Sequence, residues 1–158
     1  MQTKNELEEW YNRVDPWDYY EHEDDKLRKH KILSVLPKTY DKSLDIGCGE
    51  GFITKDLPSK EIYGYDLSNT AMSRLPKNVK MVDNFEKKYD LVISTGTLYP
   101  QYDHKKIYEM IINSSTNHIL IAGIEEWLIN YDFGKKINEV SFKYRTFNQI
   151  IRLYEIGS

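Results

Sequence analysis

A glycine-rich segment constrains the fold of this chain more than any other part of the sequence. Gly47, Gly49 and Gly51 follow a short apolar run, and Asp45 stands two residues before the first of them. Glycines let the backbone adopt positive φ angles and let a ligand approach the main chain closely. In open α/β sheets, ligands bind beyond the carboxyl ends of the strands. The segment therefore predicts a ligand-binding loop at the end of a strand.

Two common kinds of glycine loop do not fit this spacing. The dinucleotide fingerprint G-x-G-x-x-G, counted from Gly47 and Gly49, would require a third glycine where the chain has Phe52. A P-loop would require a following Gly-Lys-Ser/Thr, which is absent from the sequence here. The spacing is instead Asp-x-Gly-x-Gly-x-Gly.

The chain after residue 41 alternates between short apolar runs and helical or turn-like stretches. The apolar runs are residues 43–46, 61–66, 79–83, 90–95 and 117–124, and the best helical pattern is 103–115. This βαβ alternation predicts a mostly parallel sheet. Two final strands, 140–146 and 150–156, have only a short connection at Asn148 and Gln149. They must pair antiparallel, because a parallel return needs a long crossover.

The capping and apolar patterns of the first 40 residues predict two helices. Thr3 and Glu6 have capping-box spacing before the first helix. The second is expected to begin with Asp15 as N-cap and Pro16 in the first turn, and to end near Leu36. One helical face carries Leu7, Trp10, Tyr11 and Val14.

The charged middle of the second helix is interpreted as a solvated face. Asp24 precedes Arg28, and Asp25 precedes Lys29, by four residues each. Such acid-before-base pairs stabilise exposed helices.

Composition narrows the class of protein. The chain has 158 residues, a net charge of −3 and one cysteine. This length suggests one domain, the charge argues against non-specific nucleic-acid binding, and the lone cysteine excludes an intrachain disulfide. The sequence has no signal-peptide pattern and no membrane-length apolar run. We expect a cytoplasmic protein without membrane or nucleic-acid partners.

Residues 42–158 resemble the class I S-adenosylmethionine-dependent methyltransferases. Residues 45–51 are similar to their motif I, residues 62–68 to the second motif with its acid at Asp66, and residues 89–94 to the fourth-strand motif. The terminal hairpin is also similar. The resemblance implies a Rossmann-like α/β fold with reduced helices, S-adenosyl-L-methionine as cofactor, and an enzyme. Residues 1–158 would form one domain, with a helical lid at 1–40 and the cofactor-binding sheet at 41–158.

The N-terminal part is similar to the nodulation-protein-S-like N-methyltransferases. The residues that carry this similarity are Asp15, Pro16, Trp17, Glu23, Lys26, Leu36, Pro37, Leu98 and Tyr99. It implies a small-molecule acceptor that is methylated on an amine or a hydroxyl. A protein methyltransferase, or a cofactor-binding subunit that needs a partner, stays open as an alternative, and a homo-oligomer is possible.

The resemblance also assigns roles to single residues. Asp66 would accept hydrogen bonds from the two ribose hydroxyls, although it could instead cap the turn at Ser68. Asp45 would act at the methionine end, and Cys48 is interpreted as a small filler of the loop. The predicted cofactor site comprises Trp17, Tyr20, Asp45, Gly47, Cys48, Gly49, Gly51, Asp66, Leu67, Asp83, Asn84, Ser94 and Thr95.

The connection between the third and fourth strands is unusually short. In the family's strand order it crosses two intervening strands, or ~14 Å. Residues 84–88 span at most ~20 Å, so we predict that this crossover has no helix. Asp83 is expected beside the adenine, with Asn84 or Phe85 taking that place if the crossing strains the strand.

Methyl transfer is an in-line displacement that depends mainly on positioning. A base would help a protonated acceptor, and the candidates are Tyr99, His104 and Glu125. Tyr99 could equally be an aromatic core residue, and His104 an ordinary residue of a helix's first turn. Aromatic residues that could cover the site are Trp17, Tyr19, Tyr20, Trp127, Tyr131 and Phe133.

Overall fold

The computed structural model describes residues 2–128 and 130–157. The strands are β1 Tyr40–Ile46, β2 Ser59–Tyr65, β3 Val79–Met81, β4 Tyr89–Thr95, β5 Ser115–Ile124, β6 Lys135–Tyr144 and β7 Phe147–Glu155. They form one sheet in the order β3-β2-β1-β4-β5-β7-β6. Strands β1 to β5 pair in parallel, and β7 runs antiparallel to both β5 and β6. This confirms the predicted α/β sheet with its C-terminal antiparallel hairpin.

The helices are few and short. They are α1 Lys4–Trp10, α2 Glu23–Ser34, α3 Asn69–Ser73, α4 His104–Ser114 and α5 Glu125–Leu128, with a 3-10 helix at Thr54–Asp56. Residues 82–88 join β3 to β4 without a helix, as predicted. Among the described residues, no helix has the length and apolar character needed to cross a bilayer.

The sheet carries a core on each face because its central strands are apolar throughout. Leu91 and Ile93 of β4 point to one face, where α2 contributes Ile32. Val92 and Ile119 belong to the other face, where α4 contributes Ile111. All of these side chains are fully buried. The parallel strands are therefore fixed rigidly, and their carboxyl ends can position a site.

The start of the second helix differs from the prediction. Helix α2 begins at Glu23, and residues 15–22 form a loop. Asp15 has a φ of 47° and Asp18 a φ of 56°, so neither has the extended conformation of an N-cap. The Asp15 carboxylate accepts hydrogen bonds from the backbone N–H groups of Tyr19 and Tyr20. It stabilises this loop instead of starting a helix.

The charged face of α2 was predicted to be solvated, but part of it is buried. Asp24 is exposed, but Asp25 is 0% exposed and Arg28 only 5%. The predicted pairs within the helix do not form, because Asp25 bonds to Tyr144 and Arg145 and Lys29 pairs with Asp56. For Asp25 and Lys29, long-range partners replace the local ones.

The hairpin turns three residues earlier than predicted. Tyr144 pairs with Phe147 across a two-residue turn, in which Arg145 has a φ of 55°. A positive φ suits the two-residue turns that match strand twist. Asn148 and Gln149, predicted as the connection, belong to β7. This moves Gln149 into register with Ile124 at the end of β5.

Candidate functional site

A cavity of about 570 Å³ lies beyond the carboxyl ends of β1, β2 and β4. Strand β1 is flanked by β2 on one side and β4 on the other, so the strand order of the sheet reverses there. Crevices at such a switch point are the usual ligand sites of open α/β sheets. Its lining includes the loop after β1, the ends of β2 and β4, the N-terminal segment, the stretch from Thr97 into α4, and the β6–β7 hairpin.

The loop after β1 is shaped by its glycines. Gly47 has a φ of 84° and Gly49 a φ of 56°. A Cβ atom at Gly47 would lie 2.3 Å from Thr97 Cγ2, and one at Gly49 would lie 2.9 Å from the Tyr11 hydroxyl. Both positions therefore require glycine, for conformation and for space. The backbone here borders the cavity directly.

Asp66 follows β2 and faces the same cavity. Its Oδ2 accepts a hydrogen bond from Gly49 N at 2.8 Å, and its Oδ1 accepts one from Ser68 N at 2.9 Å. The turn-capping alternative is therefore present in the structure. Each carboxylate oxygen can still accept a second bond, so capping leaves room for ligand hydroxyls. Burial raises the pKa of Asp66.

Asp45 is the last but one residue of β1 and is 2% exposed. Its Oδ2 accepts a hydrogen bond from Thr54 Oγ1 at 2.8 Å. Its Oδ1 has no partner in the part of the chain that the structure describes. Burial raises the pKa of Asp45 to about 7, although the Thr54 hydrogen bond opposes this rise. A buried acceptor without a donor is costly, and a cationic ligand group would satisfy it.

Cys48 lies in the loop and is buried against the cavity. Burial raises the pKa of its thiol well above the ordinary value, and the carboxylates of Asp45 and Asp66 act in the same direction. A thiol of this kind is unreactive, which agrees with the interpretation of Cys48 as a filler.

The N-terminal segment covers one side of the cavity with aromatic rings. Tyr11, Trp17 and Tyr19 line it, and the Trp17 Nε1 donates a hydrogen bond to the Tyr11 hydroxyl at 3.0 Å. Tyr20, a predicted contact, packs its ring on the edge of Phe52 and does not line the cavity. The sequence pattern assigned Tyr11 to a helix face and gave no sign of this role.

Two glutamates anchor the N-terminal segment to the glycine loop and to α3. Glu50 accepts hydrogen bonds from Asp15 N at 2.7 Å and from Arg74 Nη1 at 3.0 Å. Glu8 accepts bonds from the backbone of Asn69 and from the Thr70 hydroxyl. The segment is therefore tied to the glycine loop through Glu50 and to α3 through Glu8.

The end of β4 forms the floor of the cavity. Thr95 lines it, whereas the Ser94 hydroxyl points away and donates to Ile46 O at 2.8 Å. Tyr99 also lines the cavity, and its hydroxyl accepts a hydrogen bond from Ile124 N at 3.3 Å. The Tyr99 ring meets Trp127 at 4.6 Å. Tyr99 is thus packed at the cavity wall, and its catalytic role stays a prediction.

Several predicted residues lie away from the cavity. His104 Nδ1 is 2.7 Å from the Tyr131 hydroxyl, in a shallow depression beside α4. Asp83 and Asn84 are exposed and do not line the cavity. Phe85 packs on Tyr65, which does line it, with ring centroids 5.0 Å apart. The other predicted residues that lie outside the cavity lining are Gly51, Glu125, Trp127, Tyr131 and Phe133. Roles for these residues in ligand binding or catalysis stay predictions.

Polar residues from α2 and the hairpin also line the cavity. Arg28, Tyr144, Arg145 and Gln149 line the cavity there. None of them carries a sequence motif that would have marked it as a site residue. The turn of the hairpin was predicted at Asn148 and Gln149. A turn predicted at Arg145 would have put Gln149 within β7, beside the end of β5. For Arg28 no local signal exists, since its spacing matches an exposed helix position.

Comparisons with known proteins identify solved structures that share this architecture. No protein-family model and no curated protein sequence matches the chain. The N-methyltransferase NodS from Bradyrhizobium japonicum WM9, in complex with S-adenosyl-L-homocysteine, matches over 100% of both chains, with a TM-score of 0.81 and 16% identity.

Two further solved structures share the architecture. The magnesium protoporphyrin IX methyltransferase ChlM from Synechocystis PCC 6803, with bound S-adenosylhomocysteine, has a TM-score of 0.72 at 14% identity; the match covers 98% of this chain and 99% of that one. The 1,6-didemethyltoxoflavin-N1-methyltransferase from Burkholderia thailandensis has a TM-score of 0.68 at 12% identity, over 98% of this chain and 87% of that one. The chain therefore has the Rossmann-like fold of the class I methyltransferases, the fold that the sequence resemblance implied.

Proposed function

We propose that the chain is an S-adenosylmethionine-dependent methyltransferase that acts on an amine or a hydroxyl of a small molecule. The observation that carries this proposal is the arrangement of Asp45, the glycine loop and Asp66 around one cavity at the switch point of the sheet. Because fold alone does not imply function, the chemistry of these residues has to support the proposal.

The polar groups at the cavity match the cofactor's functional groups. The Asp66 carboxylate has free acceptor capacity for two ribose hydroxyls, beyond its bonds to Gly49 and Ser68. The unpartnered Oδ1 of Asp45 would accept a hydrogen bond from the ammonium group of the methionine moiety. Gly47 and Gly49 leave space that a Cβ atom would fill. The residues present therefore fit S-adenosylmethionine.

When bound, S-adenosylmethionine supplies an activated methyl group, so the protein's task is chiefly to position the acceptor. Thr95 and Gly96 form the floor at the end of β4, and Tyr19, Tyr99 and Tyr102 form aromatic walls around it. These walls would exclude water from the reacting groups. Burial raises the pKa of Tyr19 to about 12 and that of Tyr102 to about 12. Both phenols therefore stay protonated near neutral pH and would act through packing and hydrogen bonding.

A small acceptor is supported by the size of the cavity and by the structural neighbours. A volume of about 570 Å³ falls within the range of small-molecule sites, and the adenosyl group would fill much of it. The neighbours include an N-methyltransferase and enzymes named for magnesium protoporphyrin IX and 1,6-didemethyltoxoflavin. These names support a small-molecule acceptor for this chain.

A thermal-shift assay tests the cofactor. S-adenosylmethionine and S-adenosylhomocysteine should raise the Tm, and NAD should not, since ligands that bind only the folded state stabilise it. Asp66→Ala should remove the shift, because it deletes the acceptor for the ribose. The matched control is Asp90→Ala, which removes another carboxylate that caps backbone amides far from the cavity. It should keep the shift. An absence of any shift for the unaltered protein would refute the cofactor assignment.

The acceptor is tested separately. The chain is incubated with labelled S-adenosylmethionine and either a panel of small amines, phenols and hydroxyl compounds or a mixture of proteins, and label transfer is measured. Transfer to at least one compound supports the proposal. If only protein acceptors take up the label, the small-molecule assignment is wrong.

A further inference from the structure

Gln149 is a buried carboxamide at the cavity wall, and its oxygen has no partner. The residue is 2% exposed and lines the cavity. Within residues 2–128 and 130–157, its Oε1 is shielded from solvent and accepts no hydrogen bond. Buried oxygens are rarely left unpaired in folded proteins, because losing the hydrogen bonds to water is costly. A donor group on a bound ligand is therefore the expected partner.

The cavity has this kind of unsatisfied oxygen at two residues of the described chain. Unpartnered buried oxygens also occur at Ser43 and Tyr89, but neither residue lines the cavity. Asp45 and Gln149 both line it. The first offers a carboxyl oxygen and the second a carboxamide oxygen, so the cavity can accept two chemically different donor groups.

The register of the sheet places these two residues on one face. Gln149 of β7 pairs with Ile124 of β5, and Ala122 pairs with Thr95 of β4. Asp45 of β1 pairs with the residue two positions before Thr95. Cross-strand partners, and residues two apart on a strand, point to the same face of a sheet. Thr95 and Ile124 also line the cavity, so they separate the two unpartnered oxygens.

Gln149 lies on the side of the cavity away from the proposed ribose site. Asp66 follows β2, and β1, β4, β5 and β7 come next across the sheet. Three strand spacings, ~14 Å, separate β1 from β7. The groups assigned to Asp45 and Asp66 belong to one ligand on the β1–β2 side. The part of the cavity at Gln149 is therefore left for the methyl acceptor.

The surroundings of Gln149 favour a neutral ring compound. Tyr99 lies across the end of β5, where a Cβ atom at Gly123 would come within 2.8 Å of Tyr99 Cε1. The rings of Tyr99 and Tyr102 are stacked with centroids 6.3 Å apart, and both residues line the cavity. Arg28 lines the cavity as well, and its positive charge disfavours a cationic ligand.

We propose that Gln149 binds the methyl acceptor by accepting a hydrogen bond from an uncharged N–H or O–H group of that compound. The carboxamide is neutral, so it recognises a donor without the cost of burying an ion. Its last side-chain torsion is soft, so Oε1 can turn toward a ligand. This inference rests on the proposed function for the ligand's role as methyl acceptor, but not for the group that Gln149 recognises.

Two pairs of neutral ring compounds test this recognition. Indole and phenol each carry one donor, an N–H and an O–H, whereas N-methylindole and anisole lack it. Each compound is titrated into isotope-labelled protein saturated with S-adenosylhomocysteine, and NMR follows the side-chain amide signals. At least one donor compound should bind roughly 3- to 10-fold more tightly than its methylated counterpart, as expected for a neutral hydrogen bond.

Gln149→Leu keeps the bulk of the side chain and removes its hydrogen-bonding groups, and Gln149→Met is a second, unbranched variant. Both should abolish the preference. Affinity for S-adenosylhomocysteine should stay unchanged, since Gln149 lies away from the residues assigned to the cofactor. The Tm without ligand should not fall, because the variants remove an unpaired buried polar group.

Asn148→Leu is the matched control. It removes the exposed carboxamide of the preceding residue, which does not line the cavity. This variant should keep the preference for the donor compounds. Circular dichroism checks that each variant is folded.

The outcomes separate this proposal from the proposed function. If the unaltered protein does not bind S-adenosylhomocysteine, the proposed function is contradicted; the titrations are then run on ligand-free protein and still test Gln149. The proposal is overturned if the unaltered protein shows no preference in either pair, or if the Gln149 variants keep it, since the added methyl group would then explain the difference by size. Loss of S-adenosylhomocysteine affinity in these variants would also overturn it.

Discussion

The two ends of the cavity are built from contacts at very different sequence separations. At the glycine-loop end, Asp45 bonds to a residue 9 positions away, and Asp66 to residues 17 and 2 positions away. At the hairpin end, defined here as Asp25, Arg28, Tyr144, Arg145 and Gln149, Asp25 bonds across 119 and 120 positions. The hydrogen bonds of the first end therefore join residues that are near in sequence, whereas those of the second depend on the whole sheet being in place.

The two ends also differ in the interactions that stabilise them. The glycine-loop end uses backbone amides and a backbone conformation that only glycine adopts easily. The hairpin end uses side-chain charges: Asp25 pairs with Arg145, and Arg28 has no carboxylate partner among the residues that the structure describes. Substitutions at the first end should therefore act through backbone geometry, and those at the second through charge.

The largest effect is expected for Gly47→Ala. The substitution combines a φ of 84° with a Cβ atom 2.3 Å from Thr97 Cγ2. Backbone strain and overpacking each cost about 1–3 kcal/mol, so the free energy of unfolding should fall by about 3 kcal/mol. Urea denaturation measures it. Gly157→Ala is the control, since nothing lies within 4 Å of its Cβ position. Equal effects at both positions would contradict the geometry assigned to the loop.

The next effect is expected at the hairpin end, for Asp25→Ala. Asp25 is fully buried, whereas its partner Arg145 is 45% exposed and can regain water. The loss should therefore be smaller than for a fully buried pair, about 2 kcal/mol in the free energy of unfolding. Asp24→Ala, at the exposed neighbouring position, should change stability by less than about 0.5 kcal/mol. If the two variants are equally stable, Asp25 does not join α2 to the hairpin.

The pH dependence of stability tests the burial of Asp45. Its pKa is raised to about 7 in the folded protein, so between its ordinary value and pH 7 the folded state retains a proton that the unfolded chain has lost. This contribution to stability is present below the ordinary pKa and is lost as the pH rises toward 7. Asp45→Asn cannot titrate.

The Tm of Asp45→Asn relative to the unaltered protein should therefore increase between about pH 5 and pH 8 in the absence of ligand. A constant difference across this range would show that Asp45 is ionised throughout.

The smallest effect is expected for Tyr99→Phe. The variant removes one hydrogen bond, from Ile124 N to the hydroxyl at 3.3 Å, and keeps the ring against Trp127. The free energy of unfolding should fall by about 1 kcal/mol or less. Thermal unfolding measures this, and S-adenosylhomocysteine affinity should not change. A large loss of methyl transfer with normal stability would instead support the predicted catalytic role of Tyr99.

The sheet and the glycine-loop end could be predicted well from the sequence, because both depend on local patterns. The apolar runs alternate with the right period, and the hairpin and the missing helix after β3 follow from connection length alone. Asp45, Gly47, Gly49 and Asp66 occur at a spacing typical of one kind of loop. That spacing was enough to predict them as neighbours at the end of a strand, and all four line the cavity.

The hairpin end could not be predicted in the same way. Asp25 and Arg28 lie at positions that fit an exposed, charged helix face, and nothing nearby in sequence indicates burial. Their environment is set by Tyr144 and Arg145, which the sheet brings to them. The false helix start at Asp15 has a similar cause, since Glu50 and Arg74 hold residues 13–15 in a loop.

A crystal structure of the chain with S-adenosylhomocysteine tests the central claim most directly. We expect the ribose hydroxyls within hydrogen-bond distance of the Asp66 carboxylate, with the amine of the homocysteine moiety against Asp45 Oδ1. A ligand bound elsewhere on the molecule, or an empty cavity at saturating ligand, would contradict it.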